Sequence, residues 1–326
     1  MNKSEMRRVT FGAAPLTIED VVALAEGRAT PALNPDPAFM ARIQRGADFL
    51  DRLLAEEGVI YGVTTGYGDS VTRPVPTELV AELPLHLTRF HGCGLGADLD
   101  LDAARAVLAT RLCSLAQGVS GVSPALLERL CWLLEQDLVP RIPEEGSVGA
   151  SGDLTPLSYV AAVLVGEREL HHDGVLRPAA EVYRELGVTP LTLRPKEGLA
   201  LMNGTSVMTA LACLAYARTD YLMRLATRIT ALVSVAMGGN AFHFDERLFA
   251  AKPHPGMQQV GINLRALLDG SEVIASSKGI RTQDALSIRS IPQVHGAARD
   301  QLVHATRQIE TELNSATDNP LVLVAP

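Results

Sequence analysis

Residues 149–153 read Gly-Ala-Ser-Gly-Asp, a run that more than one chemistry could use. A nucleophilic serine turn requires G-x-S-x-G, and Asp153 stands where the second glycine should be. A phosphate loop ends in Gly-Lys-Ser/Thr, which is absent. A plain tight turn fits. So does a rarer option, because glycines around Ala150-Ser151 let the backbone bend until the Gly152 amide nitrogen approaches the Ala150 carbonyl carbon. Ring closure there with loss of water, and dehydration of Ser151, would give a methylidene-imidazolone. Its exposed methylene is a stronger electrophile than any standard side chain. Asp153 would cap the following helix or hold the bend.

Four other places carry chemistry-bearing side chains. Tyr61 opens Tyr61-Gly-Val-Thr-Thr-Gly-Tyr-Gly68, with three glycines in eight residues; it is a loop tyrosine, either bonded to backbone or reaching into a site. Asn203, before Gly204-Thr205, has donors and an acceptor that suit a helix cap or an electrophile. Arg289 suits a bidentate carboxylate grip or a surface salt bridge. In Phe90-His91 the imidazole suits a polar contact or a structural place against the glycine turn that follows.

The elements that must hold these residues are mostly helices. Thr17 and Asp20 form a capping-box pattern for a helix that Gly27 ends. Apolar periodicity predicts further helices over 37–54, 77–90, 101–117 and 156–165, with a shorter one over 179–186. Ser123-Pro124 supplies an N-cap and an N1 proline for a helix to about residue 136. His171-His172-Asp173-Gly174 is a hairpin turn between short extended pieces. Character changes near Leu199. From 205 to 237 there is neither Pro nor Gly, which predicts a long helix buried on most sides; another covers 295–314. The expected architecture is mainly α: an N-terminal mixed helical domain, 1–198, carrying the glycine-rich loop, then the beginning of a long central helical bundle, 199–326. Residues 319–326 stop as a new apolar extended segment begins, so the chain reads as cut short.

Composition narrows the partners. Hydrophobic residues make up 47% and aromatic ones only 4% of the 326, which favours packed helices over sandwiches or barrels. A net charge of −8 without a basic stripe argues against nucleic acid. The basic start lacks a following apolar stretch, and the longest apolar run, 207–217, is half a membrane span, so neither a secretory signal nor a membrane span is expected. Four separated cysteines without a CxxC pair point to reduced thiols in a cytoplasmic protein, with no structural metal.

Residues 146–158, Gly-Ser-Val-Gly-Ala-Ser-Gly-Asp-Leu-Thr-Pro-Leu-Ser, resemble the signature of the aromatic amino acid ammonia-lyases, the histidine, phenylalanine and tyrosine enzymes with their related aminomutases. The loop 61–68, Leu201-Met-Asn203-Gly-Thr205, Gln283-Asp284 through Arg289 with Pro292-Gln293, and Ser315-Ala-Thr-Asp-Asn-Pro-Leu321 match in the same order. The resemblance covers nearly the whole chain, while family members continue through further C-terminal helices. It implies a 4-methylideneimidazol-5-one (MIO) formed autocatalytically from Ala150-Ser151-Gly152, without metal. The implied reaction takes the α-amino group and a β-proton from an aromatic amino acid, leaving an arylacrylate. Because the β C–H is weakly acidic, an electrophile must make nitrogen a better leaving group while a base takes the proton. The resemblance assigns that base to Tyr61, whose phenol then needs a local field favouring its anion. It sets Asn203 near the cofactor oxygen and the amine, Arg289 on the α-carboxylate and Gln283 in the polar pocket wall. It further implies a homotetramer in which the Tyr61 loop and the 283–289 segment meet the cofactor from neighbouring subunits.

Two departures matter. The family pattern places a tyrosine one residue beyond Gln-Asp, and Leu286 stands there; leucine cannot donate or accept a proton. At the ring-binding position, Ser-His is typical of histidine lyases, Phe-Leu of phenylalanine lyases, and His-Leu occurs in tyrosine lyases. Phe90-His91 matches none, and a polar partner for His91 puts tyrosine or histidine ahead of phenylalanine. Leu286 and the abrupt end at Pro326 also support a second reading, a catalytically impaired structural or regulatory homologue. An acyl-transfer hydrolase ranks third, since Ser151 has no evident His-Asp arrangement.

Overall fold

The structure, a computed structural model, describes residues 6–56, 58–278, 280 and 282–324. The chain is mainly helical and divides into two compact units, Met1–Leu214 with Ile309–Pro326, and Ala215–Gln308. The first begins with parallel strands flanking a helix: β1 (Arg7–Phe11), α1 (Ile18–Ala25) and β2 (Ala29–Leu33). The capping box at Thr17 forms, with the Asp20 N–H donating to Thr17 Oγ1 and the Thr17 N–H to Asp20. Gly27 ends the helix with φ +66°. Then follow α2 (Pro37–Ala55), α3 (Leu83–His91), β3 (Leu95–Asp98), α4 (Leu101–Leu115), α5 (Pro124–Glu135), β4 (Val139–Pro140), β5 (Pro143–Glu145), α6 (Leu154–Leu164), β6 (Glu169–His172), β7 (Val175–Pro178), α7 (Ala179–Glu185) and α8 (Glu197–Met202). Helix α9 (Ser206–Ala236) starts in the first unit. Leu108, Leu112, Leu115, Leu126, Leu127 and Leu130 of α4 and α5 are fully buried, and α3, α6 and α8 pack on one another.

The second unit holds α10 (Glu246–Ala250), α11 (Pro255–Leu268), α12 (Glu272–Ser276), α13 (Leu286–Arg289) and most of α14 (Ile291–Leu313). Its core gathers Ala231, Phe244, Val260, Leu264, Leu268 and Ile288. The chain then returns to the first unit, where Val322 packs with Leu50, Ile60, Val63 and Val80. Leu199 is not the division between compact units, because α8 is buried against α3 and α6 within the first.

Other differences from the sequence reading have local causes. The helix expected over 77–90 is broken: a 3₁₀ turn occupies Thr77–Leu79 and α3 starts only at Leu83, because Pro84 has no N–H to donate and fits in a first turn. Ser123 stands at the N-cap of α5, yet its hydroxyl donates to Glu197 Oε1 at 2.7 Å instead of capping. The Asp173-Gly174 hairpin forms with both φ values positive, +52° and +76°, as a primed two-residue turn needs. The β3–β5 and β4–β6 pairings, formed across long sequence separations, had no such local signal. Helix α9 is not buried on most sides. Tyr221, Leu222, Ile229 and Leu232 are at least half exposed on this chain.

Candidate active site

The 149–153 bend is held open by backbone geometry that glycine makes cheap. Gly149 and Gly152 have φ +74° and +87°, and Ser151 itself has φ +57°, a left-handed value uncommon for serine. Gly152 lies so close to Gly204 that a Cβ on it would sit 2.0 Å from the Gly204 carbonyl oxygen. The two strands of backbone are laced together there. Gly204 N–H donates to the Ser151 carbonyl at 3.1 Å, and Asp153 N–H donates to the Gly204 carbonyl at 2.7 Å. Asn203 Nδ2 donates to the same Ser151 oxygen at 3.2 Å. Asn203 is thus no cap for α9, and its buried Oδ1 has no hydrogen-bond partner among the described residues.

Asp153 does cap a helix, but a distant one. Its buried carboxylate accepts the N–H groups of Val207 and Met208 in the first turn of α9, both at 3.0 Å, and the Ser147 hydroxyl at 2.9 Å. It makes no side-chain cap on α6, the helix that follows it. One carboxylate therefore fixes the bend against the first turn of α9, just beyond Asn203-Gly204.

Behind this lies a buried polar layer that sequence reasoning missed. The fully buried Arg111 of α4 donates to the Asn203 carbonyl, to Ser114 Oγ at 2.8 Å and to Thr317 Oγ1 at 3.1 Å. Burial lowers the pKa of its guanidinium, opposed by Asp318 and Asp153. Next to it Lys196, also buried, pairs with Asp318, which accepts the Ser120 hydroxyl at 2.7 Å. Arg111 stands within an apolar helical run, where nothing local marks it as functional.

Tyr61, Phe90, His91, Ser151 and Asn203 line one cavity of about 900 Å³ in the first unit, with Tyr67, Leu87, Leu154 and Leu199 among its other walls. That volume lies within the usual range of small-molecule sites, about 300–1,000 Å³. The Tyr61 loop is tied at its neck by Gly66 N–H to Arg73 O and Val75 N–H to Thr64 O, both 2.9 Å. Tyr61 Oη accepts the Gly68 N–H at 2.9 Å, so the tyrosine is bonded to backbone and faces the cavity as well. Burial, with Tyr61 adding to it, pushes the Tyr67 phenol above its usual range. His91 Nδ1 lies 3.1 Å from the Leu87 carbonyl, which can only accept, so Nδ1 is the donor there, and the neutral ring presents Nε2 as an acceptor. Phe90 meets the His91 ring edge-on at 5.1 Å and is 80% exposed.

Gln283, Leu286 and Arg289 belong to the second unit. Gln283 is exposed, as is Leu286 at the first turn of α13. Arg289 makes no ion pair among the described residues, and its Nε is buried without a partner there. Asp284, beside them, accepts the Asn240 N–H at 2.7 Å and donates its own N–H to His243 Nε2 at 2.9 Å, fixing the start of the segment.

The atoms present fit a MIO group. Its ring would consist of Gly152 N, the Ala150 carbonyl carbon, and N, Cα and C of Ser151, leaving Ser151 O as the ring oxygen. That oxygen already receives two donors, and the unpartnered Asn203 Oδ1 lies beside it in a residue that lines the cavity. Among the described residues, no cluster of His, Cys, Asp or Glu could hold a metal ion, and no helix is long and apolar enough to cross a membrane. All four cysteines are unpaired.

Residues 16–325 match the family described as aromatic amino acid lyase. The chain is similar to the histidine ammonia-lyase of Chloroflexus aurantiacus, 40% identical over 98% of this chain and 61% of that protein. It is equally similar to the MIO-dependent tyrosine 2,3-aminomutase of Streptomyces globisporus, 40% identical over 98% of this chain and 62% of that one. Among solved structures, the Streptomyces globisporus tyrosine aminomutase superposes with a TM-score of 0.89 at 39% identity, over 97% of this chain and 63% of the other. Histidine ammonia-lyase from Trypanosoma cruzi does so with 0.85 at 34% identity, over 97% and 58%. The chain spans about three fifths of the length of these relatives.

Proposed function

The chain belongs to the aromatic amino acid lyase family, and from that premise we propose that it eliminates ammonia from an aromatic L-amino acid, tyrosine or histidine in preference to phenylalanine. The observation that carries this reading is the convergence of Gly204 N–H and Asn203 Nδ2 on the Ser151 carbonyl, at the wall of a cavity also lined by Tyr61 and His91.

Ring closure would join Gly152 N to the Ala150 carbonyl carbon and expel its oxygen as water with the amide hydrogens of Ser151 and Gly152. Loss of the Ser151 hydroxyl with its α-hydrogen is the second water, and leaves Cβ as a methylene. The MIO so formed would supply an electrophile for the substrate amine and would draw electron density toward Ser151 O. Asn203 Nδ2 and Gly204 N–H hold that charge; removing one such preorganised donor commonly costs roughly 10²–10³ in kcat. Asn203 Oδ1 is the acceptor for the substrate ammonium. Tyr61 is the base for the β-proton, its oxygen positioned by the Gly68 N–H. Arg289, its Nε without an internal partner, grips the α-carboxylate, with Gln283 as a polar contact and Leu286 as an apolar one. His91 Nε2 accepts a hydrogen bond from a phenol or an imidazole N–H, and Phe90 supplies an apolar wall. The 283–289 segment meets the cofactor from a neighbouring subunit of a homotetramer, whereas the Tyr61 loop lines the cavity beside Ser151 of its own chain rather than crossing from a neighbour, and the exposed apolar residues of α9 supply surface for that assembly. The protein works in the cytoplasm.

The likeness to tyrosine 2,3-aminomutase supports a second reading, migration of the amino group to the β-carbon. Intact mass tests the cofactor: the chain should weigh two waters less than its sequence, and Ser151→Ala should restore the mass of the unmodified backbone. A folded chain of unreduced mass would refute the proposal. With the cofactor formed, arylacrylate as product supports the lyase, and a β-amino acid supports the aminomutase.

A further inference from the structure

Arg111 reaches the cofactor loop through a single peptide group. Its Nη1 donates to the carbonyl oxygen of Asn203, and the other end of that same peptide, Gly204 N–H, donates to Ser151 O at 3.1 Å. The guanidinium is fully buried, and its hydrogen bonds run to a carbonyl and two hydroxyls; no carboxylate is among them. Burying such a charge is costly unless it is well bonded, and Nε is left without a partner among the described residues. Asp318 is paired with Lys196, and Asp153 is occupied by Ser147 and two amides of α9. The charge of Arg111 is therefore not spent on a direct ion pair.

We infer that Arg111 is a positioning residue for the elimination, polarising the Asn203–Gly204 peptide so that Gly204 N–H becomes a stronger donor to the oxygen that gathers negative charge. A hydrogen bond to a carbonyl drains electron density from its amide nitrogen, so consecutive hydrogen bonds along one peptide strengthen each other. Low polarity around the layer strengthens the effect. The inference rests on the MIO reading, since only ring formation makes Ser151 O a charge acceptor. It adds that a cation out of contact with substrate sets the strength of that site.

Asn203-Gly204 is the sole Asn-Gly pair in the sequence. Chain carrying ¹³C carbonyl in Asn and ¹⁵N in Gly therefore gives one amide cross-peak across that bond, from Gly204. Its proton should lie downfield of the ordinary amide range and move upfield in Arg111→Gln. In the same variant the near-ultraviolet band of the cofactor should shift to shorter wavelength, and kcat should fall about tenfold or more with KM changed less than twofold. Arg111→Lys, which keeps the charge, should recover part of the band position. Ser114→Ala removes another guanidinium partner and should lower Tm while leaving the band in place. A Gly204 proton at an ordinary shift in the parent would overturn the inference even if no Arg111 variant folds. So would a folded, dehydrated Arg111→Gln protein with unchanged band and kcat. A parent that lacks the loss of two waters defeats the MIO reading instead, and the mass separates the two failures.

Discussion

Gly152 is packed against the backbone of Gly204, which is itself packed against Thr317, and neither position has room for a side chain. A Cβ at Gly152 would meet the Gly204 carbonyl oxygen at 2.0 Å, and one at Gly204 would meet Thr317 Oγ1 at 2.3 Å. By contrast, a Cβ at Gly149 finds nothing within 4 Å, although its φ is +74°. Gly152→Ala should therefore abolish dehydration of Ser151, by forcing the bend away from the Asn203-Gly204 shelf. Gly149→Ala should cost only about 1–2 kcal/mol of backbone strain and still mature. Intact mass and thermal unfolding of both variants give the comparison. Full maturation of Gly152→Ala would mean that the shelf is not what shapes the bend.

The thiols give a test of the fold that is independent of catalysis. Cys113, Cys131 and Cys213 are buried, and burial raises each from the ordinary 9.0 to about 12, while Cys93 is exposed. A thiol reagent at pH 8 should label Cys93 alone until the chain unfolds. The pH dependence has a definite sign. Well below pH 9 these three thiols are neutral in both states and contribute no slope. Between about 9 and 12 the unfolded chain loses protons that the folded chain keeps, so stability should fall as pH rises through that window. Chemical denaturation at a series of alkaline pH values checks it; a flat profile would contradict the burial of these residues.

What was legible in the sequence had local causes. The Thr17 capping box, the Asp173-Gly174 hairpin and the long Pro- and Gly-free helix are written in neighbouring residues, and they appear where expected. Tyr61, Phe90, His91, Ser151 and Asn203 belong to motifs scattered over more than a hundred residues, and one cavity gathers them. The misses are relations between distant segments. Ser123 gave up its cap for Glu197, and Asp153 reached past its own helix to α9. Arg111 in particular is invisible to periodicity, because a fully buried arginine inside an apolar helix has the same local pattern as an interrupted core.

His91 should read the ring of the substrate. Its Nδ1 is committed to the Leu87 carbonyl, which leaves Nε2 as a fixed acceptor at the cavity wall. His91→Leu removes that acceptor, worth about 1–3 kcal/mol to a buried polar partner. The kcat/KM for tyrosine or histidine should fall relative to phenylalanine by about 10- to 100-fold. An unchanged ranking of the three substrates would show that His91 does not set specificity.

Leu286 bears on rate rather than on binding. It stands in the first turn of α13, 63% exposed, so a larger and polar side chain at this position meets no packing constraint within the chain. Ile288 is the residue of that turn that enters the core, and it is untouched by a change at Leu286. Leu286→Tyr should therefore leave Tm within a degree or two, since surface substitutions usually stay within about 0.5 kcal/mol. The tyrosine that the family pattern places here brings a hydroxyl able to pass a proton, and one positioned proton-transfer group commonly contributes about 10²–10⁴-fold. Such a group acts mainly in the transition state, so kcat should rise in Leu286→Tyr while KM changes little. Maturation should be the same in both proteins, because ring closure depends on the 149–153 bend and its Gly204 contact. Steady-state rates of arylacrylate formation, with intact mass confirming equal dehydration, make the comparison. A parent that turns over fast and is slowed by Leu286→Tyr would show that this site handles its protons by another route, with Tyr61 the group to test next.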